Sequence, residues 1–262
     1  PSVQAEFFVL NLTERGHPMP KILLVTSGKG GTGKTTVSML LAHALCRRDR
    51  NVLLIELDSG LRGLDLLLGV SDRVVYDLSD YLCGRCKPVK AVTVCDVPKG
   101  NLHLIAAPSD RYFVPDPNAL ASLLRGMSSC YDELILDTAA GLGRGFDVAA
   151  SLCTSALVVT TPDPVSVRDA AKAVSMLQRT PPRLIVNKFS TRQLSADLPD
   201  LDSIIDTVGA QLISVIPEDP ALPQAGARGV LPPASSPAMG EIEDLARRLL
   251  GERVLLNTGR LR

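Results

Sequence analysis

The chain has 262 residues, of which 45% are hydrophobic and 3% aromatic, and its 28 basic side chains balance its 28 acidic ones. This length suits one large α/β domain or two small ones, and we expect one because the composition does not change along the chain. A net charge near zero and the lack of tryptophan argue against nucleic acid held by bulk electrostatics or base stacking, so we expect no nucleic-acid partner. We find no signal peptide and no run of about 18 apolar residues, and so expect no membrane span.

The chain opens with residues 1–20, which show no periodic pattern and are predicted to be an irregular extension. We expect the folded domain to occupy residues 21–251. Lys21–Ser27 is a short apolar run that predicts a buried parallel strand. From Thr35 onward, apolar residues recur at helical spacing, which predicts a helix. Between strand and helix, Gly28 to Thr35 satisfies the phosphate-loop template G-x-x-x-x-G-K-[ST].

A glycine loop between a strand and a helix forms a cradle for phosphate. Glycines let backbone N–H groups approach the oxygens, and the helix dipole favours a negative charge at this end. Lys34 is predicted to neutralise the β- and γ-phosphates, and the Thr35 hydroxyl to hold Mg²⁺. We therefore predict ATP and Mg²⁺ as ligands. The predicted nucleotide-binding residues here are Lys29, Gly30, Gly31, Thr32, Gly33, Lys34, Thr35 and Thr36.

Lys29 is a second lysine in the loop that the general template does not require. It cannot easily fold back onto phosphates that Lys34 already serves. Its position suggests a cation offered to a neighbouring molecule, in the manner of an arginine finger supplied in trans. The alternative interpretation is an ordinary solvated surface lysine.

Three acidic residues lie at or just after the ends of predicted strands. Val52–Leu57 is a strand pattern that ends in Glu56 and Asp58, and the apolar Leu134–Leu136 runs into Asp137. Acids at the carboxyl ends of parallel strands face the ligand crevice of an open α/β sheet. Asp58 is predicted to orient the attacking water, Asp137 to be the Mg²⁺-linked Walker B acid, and Glu56 to support Mg²⁺ through water. Solvated loop carboxylates and a strand-end cap are the alternatives.

Further strands and helices alternate along the rest of the chain. This alternation predicts a doubly wound, mainly parallel sheet with helices on both faces and a site at the carboxyl ends of the strands. The predicted strands are Asn101–Ala106, Ala156–Thr160, Leu184–Lys188 and Gln211–Ile216, and the predicted helices run from Asp116 to Met127, Asp163 to Gln178, Leu201 to Val208 and Ser236 to Gly251.

Six cysteines in a chain of this size do not form the pattern of a secreted disulfide framework, so reduced thiols are expected. Cys83 and Cys86 form a single C-x-x-C, which is compatible with a redox pair or half a metal site. Without a second C-x-x-C or an H-x-x-x-H, chance is the favoured explanation.

The string KGGTGKTT, from Lys29 to Thr36, resembles the variant phosphate loop of the MinD/ParA family of ATPases. In that family the first lysine reaches across an ATP-bound homodimer. The segment Ser59–Cys86 is similar to the MinD branch in particular, and the resemblance covers nearly all of residues 21–252. The chain departs from the family at Glu56, where aspartate is usual, and at Thr138-Ala139, where Ser-Pro is usual.

The resemblance implies a P-loop NTPase of the SIMIBI type and a slow, Mg²⁺-dependent ATPase that dimerises on ATP. It implies that Asn187 reads the adenine, with Pro217 and Glu218 beside the base, and that Lys29, Lys34 and Asp58 serve hydrolysis. The function implied is placement of the cell-division site by recruiting a division inhibitor, with hydrolysis stimulated by a second protein partner.

The tail, residues 252–262, carries apolar and basic residues. By resemblance it would bind the membrane surface weakly and reversibly, with two tails of a dimer acting together. The protein would then be cytoplasmic, and peripheral on the inner face of the cell membrane when ATP-bound. A frayed terminus is the alternative for the tail. For the whole chain, the alternatives are an ATPase that positions a flagellum or plasmid, a metal-cluster carrier built on the same loop, and a nucleotide-binding scaffold that hardly hydrolyses.

Overall fold

A computed structural model describes residues 21–190 and 200–257. The predicted extension of residues 1–20 and the last five residues of the predicted tail lie outside the described residues. The strands are β1 (Lys21–Thr26), β2 (Asn51–Glu56), β3 (Thr93–Cys95), β4 (Asn101–Ile105), β5 (Glu133–Asp137), β6 (Ser155–Thr160), β7 (Pro182–Phe189) and β8 (Gln211–Pro217). The helices are α1 (Lys34–Cys46), α2 (Leu64–Leu67), α3 (Leu78–Leu82), α4 (Pro88–Ala91), α5 (Pro117–Met127), α6 (Arg144–Leu152), α7 (Pro164–Met176), α8 (Leu201–Val208), α9 (Ala221–Gly226) and α10 (Pro237–Leu249).

The eight strands form one sheet in the order β3-β4-β2-β5-β1-β6-β7-β8. Every pairing is parallel except that of β3 with β4 at one edge. The order reverses on either side of β1, which is the mark of a doubly wound sheet. The predicted fold class is therefore confirmed, and the carboxyl ends of β1, β2, β5, β6, β7 and β8 meet at one edge.

The core lies in two layers, one on each face of the sheet. In β2, Leu53 and Ile55 belong to one layer, whereas Val52 and Leu54 belong to the other, as the alternation of a strand requires. Helices α5 and α7 pack on the first face, and α1 and α10 on the second. Strands covered on both faces read as continuous apolar runs, which is why their sequences showed no alternation.

Three long helices begin as the sequence predicts, with a polar cap followed by proline. The side chains of Asp116, Asp163 and Ser236 each accept a hydrogen bond from the backbone N–H three residues on. Helix α7 ends at Met176, slightly before the predicted Gln178. Within residues 21–190 and 200–257, no helix is long and apolar enough to cross a membrane.

Several short elements were not predicted. β3 has three residues, and α2, α3 and α4 have four or five, too few for a periodic pattern to stand out. α6, which begins at Arg144 and includes Gly145, was not predicted either.

Candidate functional site

The predicted site residues come together at the carboxyl edge of the sheet. The phosphate loop joins β1 to α1, and Asp58 follows β2. Asp137 ends β5, and Asn187 lies near the end of β7. Because these strands are parallel and belong to one sheet, their carboxyl ends bring residues distant in sequence to one edge.

The phosphate loop depends on its glycines for steric reasons. Gly31 and Gly33 have φ angles of 80° and 89°, in the left-handed region that side chains rarely adopt. A Cβ on Gly28 would lie 2.2 Å from the backbone oxygen of Asp169. Gly33 precedes α1, and among the described residues no side chain caps that helix. The first N–H groups of α1 are thus left for an anion.

Lys34 stands at the centre of a charged cluster. Its Nζ lies 3.3 Å from Oδ2 of Asp58 and 3.9 Å from Oδ2 of Asp137. It also donates a hydrogen bond of 3.1 Å to Oγ1 of Thr35. The lysine side chain is mostly buried, so these contacts fix its ammonium at the mouth of the loop. The four residues predicted for phosphate, water and metal are in direct contact.

Asp137 is fully buried and held by two hydroxyl groups. Thr35 donates to Oδ2 at 2.9 Å, and Ser38 donates to Oδ1 at 2.8 Å. Burial raises the pKa of Asp137, while Lys34 and the two hydroxyls oppose that rise. Ser38 was missed from the sequence, although its spacing of four residues from Lys34 places both side chains on one face of α1.

Asn187 and Lys188 both reach back to the phosphate loop, although neighbours in a strand normally point to opposite faces. Asn187 Nδ2 donates to the Thr32 carbonyl at 2.7 Å, and Lys188 Nζ donates to the Gly31 carbonyl at 2.8 Å. The pairing of β7 with β8 is irregular here, and Lys188 has a φ of 56°. This irregularity turns both side chains to the same loop, an effect that strand alternation alone does not predict.

A cavity of about 1120 Å³ opens beside Gly33 and Asn187. Its volume exceeds what a small ligand needs. Oδ1 of Asn187 and Oγ1 of Thr32 are buried and have no hydrogen-bond partner among the described residues. Buried polar atoms rarely remain unpaired, so these two atoms suit a polar ligand. The lining also includes Thr36, Leu67, Phe189, Pro217, Glu218, Asp219, Leu222 and Pro223.

Lys29 turns away from the cluster around Lys34. Its Nζ lies 3.2 Å from Oδ1 of Asp163, and both side chains are substantially exposed. Burial alone would raise the pKa of Asp163, but hydrogen bonds from Ser166, Thr161 and Lys29 hold it well below its usual range. The lysine therefore has an ionised partner within its own chain.

Glu56 is held differently from the other acids. Its Oε1 accepts hydrogen bonds from the N–H groups of Gly63 at 2.6 Å and Leu64 at 3.0 Å, and its Oε2 accepts one from Ala107 at 3.3 Å. Burial raises the pKa of Glu56, and the three backbone donors oppose the rise. The predicted support of Mg²⁺ through water stays a prediction.

The C-x-x-C lies outside this crevice, near the end of α3. Both thiols are free, and Cys83 is exposed. Among residues 21–190 and 200–257, no group of three or more histidine, cysteine or acidic side chains could hold a metal ion.

Comparisons with known proteins bear on this arrangement. The family described as the CobQ/CobB/MinD/ParA nucleotide binding domain matches residues 23–232. The chain belongs to the MinD/ParA family. Among curated relatives of this MinD/ParA chain, the septum site-determining protein MinD of Bacillus subtilis is 35% identical over 248 residues, which cover 91% of this chain and 92% of that protein.

Solved structures of the MinD/ParA family match both the fold and the length. The MinC:MinD cell division protein complex of Aquifex aeolicus has a chain that is 34% identical, with a TM-score of 0.82, and the match covers 90% of this chain and 98% of that one. MinD of Pyrococcus horikoshii complexed with Mg-ADP is 28% identical, with a TM-score of 0.77, covering 88% and 96%.

The residues of this MinD/ParA chain fit a nucleotide with magnesium. The uncapped start of α1 suits phosphate, and the unpaired Oδ1 of Asn187 suits a base that offers a donor. Thr35 and Asp137 place a hydroxyl and a carboxylate together, and Mg²⁺ prefers oxygen ligands of this kind.

Proposed function

We propose that this chain is a Mg²⁺-dependent ATPase that converts ATP and water to ADP and phosphate and helps to place the cell-division site. The observation that carries the ATPase activity is the contact cluster of Lys34, Thr35, Asp58 and Asp137 at a phosphate loop. The role in division is supported by MinD relatives that match over nine-tenths of the chain.

Each member of the cluster has a role in this proposal. Lys34 binds the β- and γ-phosphates, and Asp58, which it now contacts at 3.3 Å, orients the attacking water. Thr35 and Asp137 hold Mg²⁺, which neutralises charge on the phosphates when it is bound. Hydrolysis is slow without a partner, because the cation that each copy supplies to the other is in place only after assembly.

The cavity next to the loop binds the adenosine. Asn187 accepts a hydrogen bond from the base through its buried Oδ1, while its amide stays bonded to Thr32. Pro217 and Glu218 line the same cavity and lie beside the base. The loop residues from Gly30 to Thr36 supply backbone N–H groups to the phosphates.

Two copies of the chain assemble around two ATP molecules. Lys29 is the cation that each copy supplies to the nucleotide of the other, as a trans-acting finger does. In the structure its side chain is substantially exposed, and among the described residues its ammonium is held by Asp163 alone, so a partner can reach it. Hydrolysis then follows assembly, and the ATPase works as a switch.

The ATP-bound dimer recruits a division inhibitor, and a second protein stimulates hydrolysis. The inhibitor is supported by the MinC:MinD complex of Aquifex aeolicus. The dimer is peripheral on the inner face of the cell membrane, and the chain is otherwise cytoplasmic. Leu255 is 90% exposed and Leu256 41%, so the described part of the tail presents apolar side chains that two tails together would place in lipid.

Sedimentation with lipid vesicles tests the proposal. The full chain should sediment with anionic vesicles in ATP, but not in ADP or without nucleotide. A chain lacking residues 252–262 should stay in the supernatant, and Leu255→Asp should weaken sedimentation without removing the contacts of Glu252 with the body. Phosphate release is measured on the same samples. Equal sedimentation with ATP, with ADP and without nucleotide would contradict the proposal. So would the absence of phosphate release with ATP, Mg²⁺ and vesicles.

A further inference from the structure

Glu56 joins the two ends of the loop that carries Asp58. The loop leaves β2 at Glu56 itself and ends at Gly63, the residue before α2. The Glu56 carboxylate accepts from Gly63 N at 2.6 Å and from Leu64 N at 3.0 Å, so one side chain closes the loop across seven residues. Only 1% of the residue is exposed, so water does not compete for these bonds.

The same carboxylate replaces a missing helix cap. Gly63 precedes α2 and has no side chain of its own to accept from the first N–H groups. The other oxygen of Glu56 accepts from Ala107 N, just past the end of β4. Glu56 thus links the end of β2 to the start of α2 and to the segment after β4. No other acceptor for the N–H groups of Gly63 and Leu64 is found among the described residues.

The middle of the loop is attached to its neighbours by hydrogen bonds that do not involve Glu56. Leu57 N donates to the Asp137 carbonyl at 2.8 Å, Ser59 Oγ to the Phe113 carbonyl at 2.9 Å and Gly60 N to the Pro108 carbonyl at 2.9 Å. Among the described residues, the carboxylate of Asp58 has one charged contact, with Lys34. A bound phosphate would compete for that lysine, so the place of Asp58 then depends on the attachments of its loop, of which Glu56 supplies those at Gly63 and Leu64.

We propose that Glu56 is a positioning residue that holds the Asp58 loop in its hydrolytic conformation. The inference rests on the proposed ATPase function. Without the carboxylate, buried donors of Gly63, Leu64 and Ala107 lose their acceptor and the loop opens toward water. Displacing a reacting group by about 1 Å can cost about a hundredfold in rate, whereas phosphate binding by the N–H groups of the phosphate loop is not affected.

Two variants of Glu56 are compared with one control. Glu56→Gln is isosteric and keeps one acceptor oxygen, and Glu56→Met removes both. Glu133→Gln is the control, because Glu133 is also a buried carboxyl, with 6% exposed, and contacts neither the loop nor α2. Urea midpoints and circular dichroism select conditions in which every variant is folded.

Three measurements are made on the full chain: ATP turnover, the Kd for ATP with and without Mg²⁺, and hydrogen exchange of the amides from Leu57 to Leu64. We expect turnover to fall at least tenfold in Glu56→Gln and further in Glu56→Met, with the Kd within about threefold of wild type. Exchange at Gly63 and Leu64 should rise by at least tenfold, and the control should change neither turnover nor exchange.

Other results would overturn the inference. Turnover unchanged in both variants, or exchange at Gly63 and Leu64 unchanged, rules out the positioning role. A loss of affinity seen only with Mg²⁺ would place Glu56 with the metal instead. If the wild-type chain does not hydrolyse ATP, the proposed function fails, and the exchange measurement still decides whether Glu56 fastens the loop.

Discussion

Nζ of Lys29 lies 3.2 Å from Oδ1 of Asp163, so the lysine proposed to act across a dimer is paired within its own chain. Asp163 also caps α7 through the Ser166 N–H at 3.0 Å and accepts from Thr161 at 2.6 Å. The aspartate is therefore fixed while the lysine is exposed, and a dimer that uses Lys29 must first break this pair. Exposed pairs contribute only about 0.2–1 kcal/mol, so the contact restrains the lysine and still opens readily.

Asp163→Asn should favour the ATP-bound dimer. Asparagine keeps the helix cap but loses the charge that holds Lys29. Two pairs break for each dimer, so its dissociation constant should fall by about two- to thirtyfold. The measurement is sedimentation equilibrium with ATP under conditions that block hydrolysis. Asp169→Asn is the control, because Asp169 lies on the same helix and pairs with Arg168 and Lys172. A weaker dimer in Asp163→Asn would show that the aspartate assists assembly.

Lys29→Ala should abolish the ATP-dependent dimer while leaving ATP affinity within about threefold of wild type. Lys29 points to Asp163 and makes no contact with Lys34 or Asp58, so its loss leaves the phosphate cluster of its own chain intact. Light scattering with ATP reports the dimer, and a fluorescent nucleotide reports binding. Lys172→Ala, an exposed lysine on α7, should behave as wild type. A dimer of normal strength in Lys29→Ala would contradict the proposal that Lys29 acts on the nucleotide of the other copy.

The sequence was most informative where chemistry is encoded locally. The phosphate loop was predictable from the spacing of its glycines and Lys34. Asp58 and Asp137 were predictable because acids at the ends of parallel strands face the ligand crevice. Asn187 was assigned only through the family resemblance, since an asparagine near a strand end is otherwise a turn residue. The pairing of Lys29 with Asp163, 134 residues apart, depends on tertiary packing that no local pattern carries. The closure of the Asp58 loop by Glu56 likewise required the structure, because side-chain partners are not read from spacing.

Asn187→Ala should remove the preference for ATP over inosine triphosphate, whose base carries an oxygen in place of the amino group of adenine. The wild-type Oδ1 is buried and unpaired among the described residues, and it is left unsatisfied when the amino donor of the base is replaced by an oxygen acceptor. That costs about 1–3 kcal/mol, or about five- to 160-fold in affinity. Competition binding with the two nucleotides should show this preference in wild type and less than about threefold in the variant. Asn101→Ala, at the amino end of β4, should keep the preference. Equal discrimination in wild type and Asn187→Ala would place the base elsewhere.

Glu133 should make the protein less stable as the pH rises. Burial raises the pKa of Glu133 to about 7, and Lys21 and Arg50 only partly offset it. Its folded pKa lies above its unfolded value, so its stabilising contribution is complete below about pH 4.5 and is lost as the pH rises to about 7. The loss is at most about 3 kcal/mol. Urea unfolding from pH 4.5 to 8 should show the free energy of unfolding of Glu133→Gln rising relative to that of wild type as the pH rises to about 7. A constant difference between the two proteins would contradict the raised pKa of Glu133.

Arg248→Met should destabilise the protein and free the start of the tail. The Arg248 guanidinium donates to Glu241 at 2.7 Å and to the carbonyls of Val254 and Leu255, both at 2.9 Å. The side chains of Arg248 and Glu241 are only 10% and 2% exposed, so removing one partner of this buried pair should cost about 3 kcal/mol. Methionine fills much of the same volume but cannot hold the two carbonyls, so trypsin should cut after Arg253 at least fivefold faster under folded conditions. Arg228→Met, an exposed arginine next to α9, is the control and should change neither the urea midpoint nor the cleavage rate. A normal urea midpoint with unchanged cleavage in Arg248→Met would mean that the tail is held by other contacts.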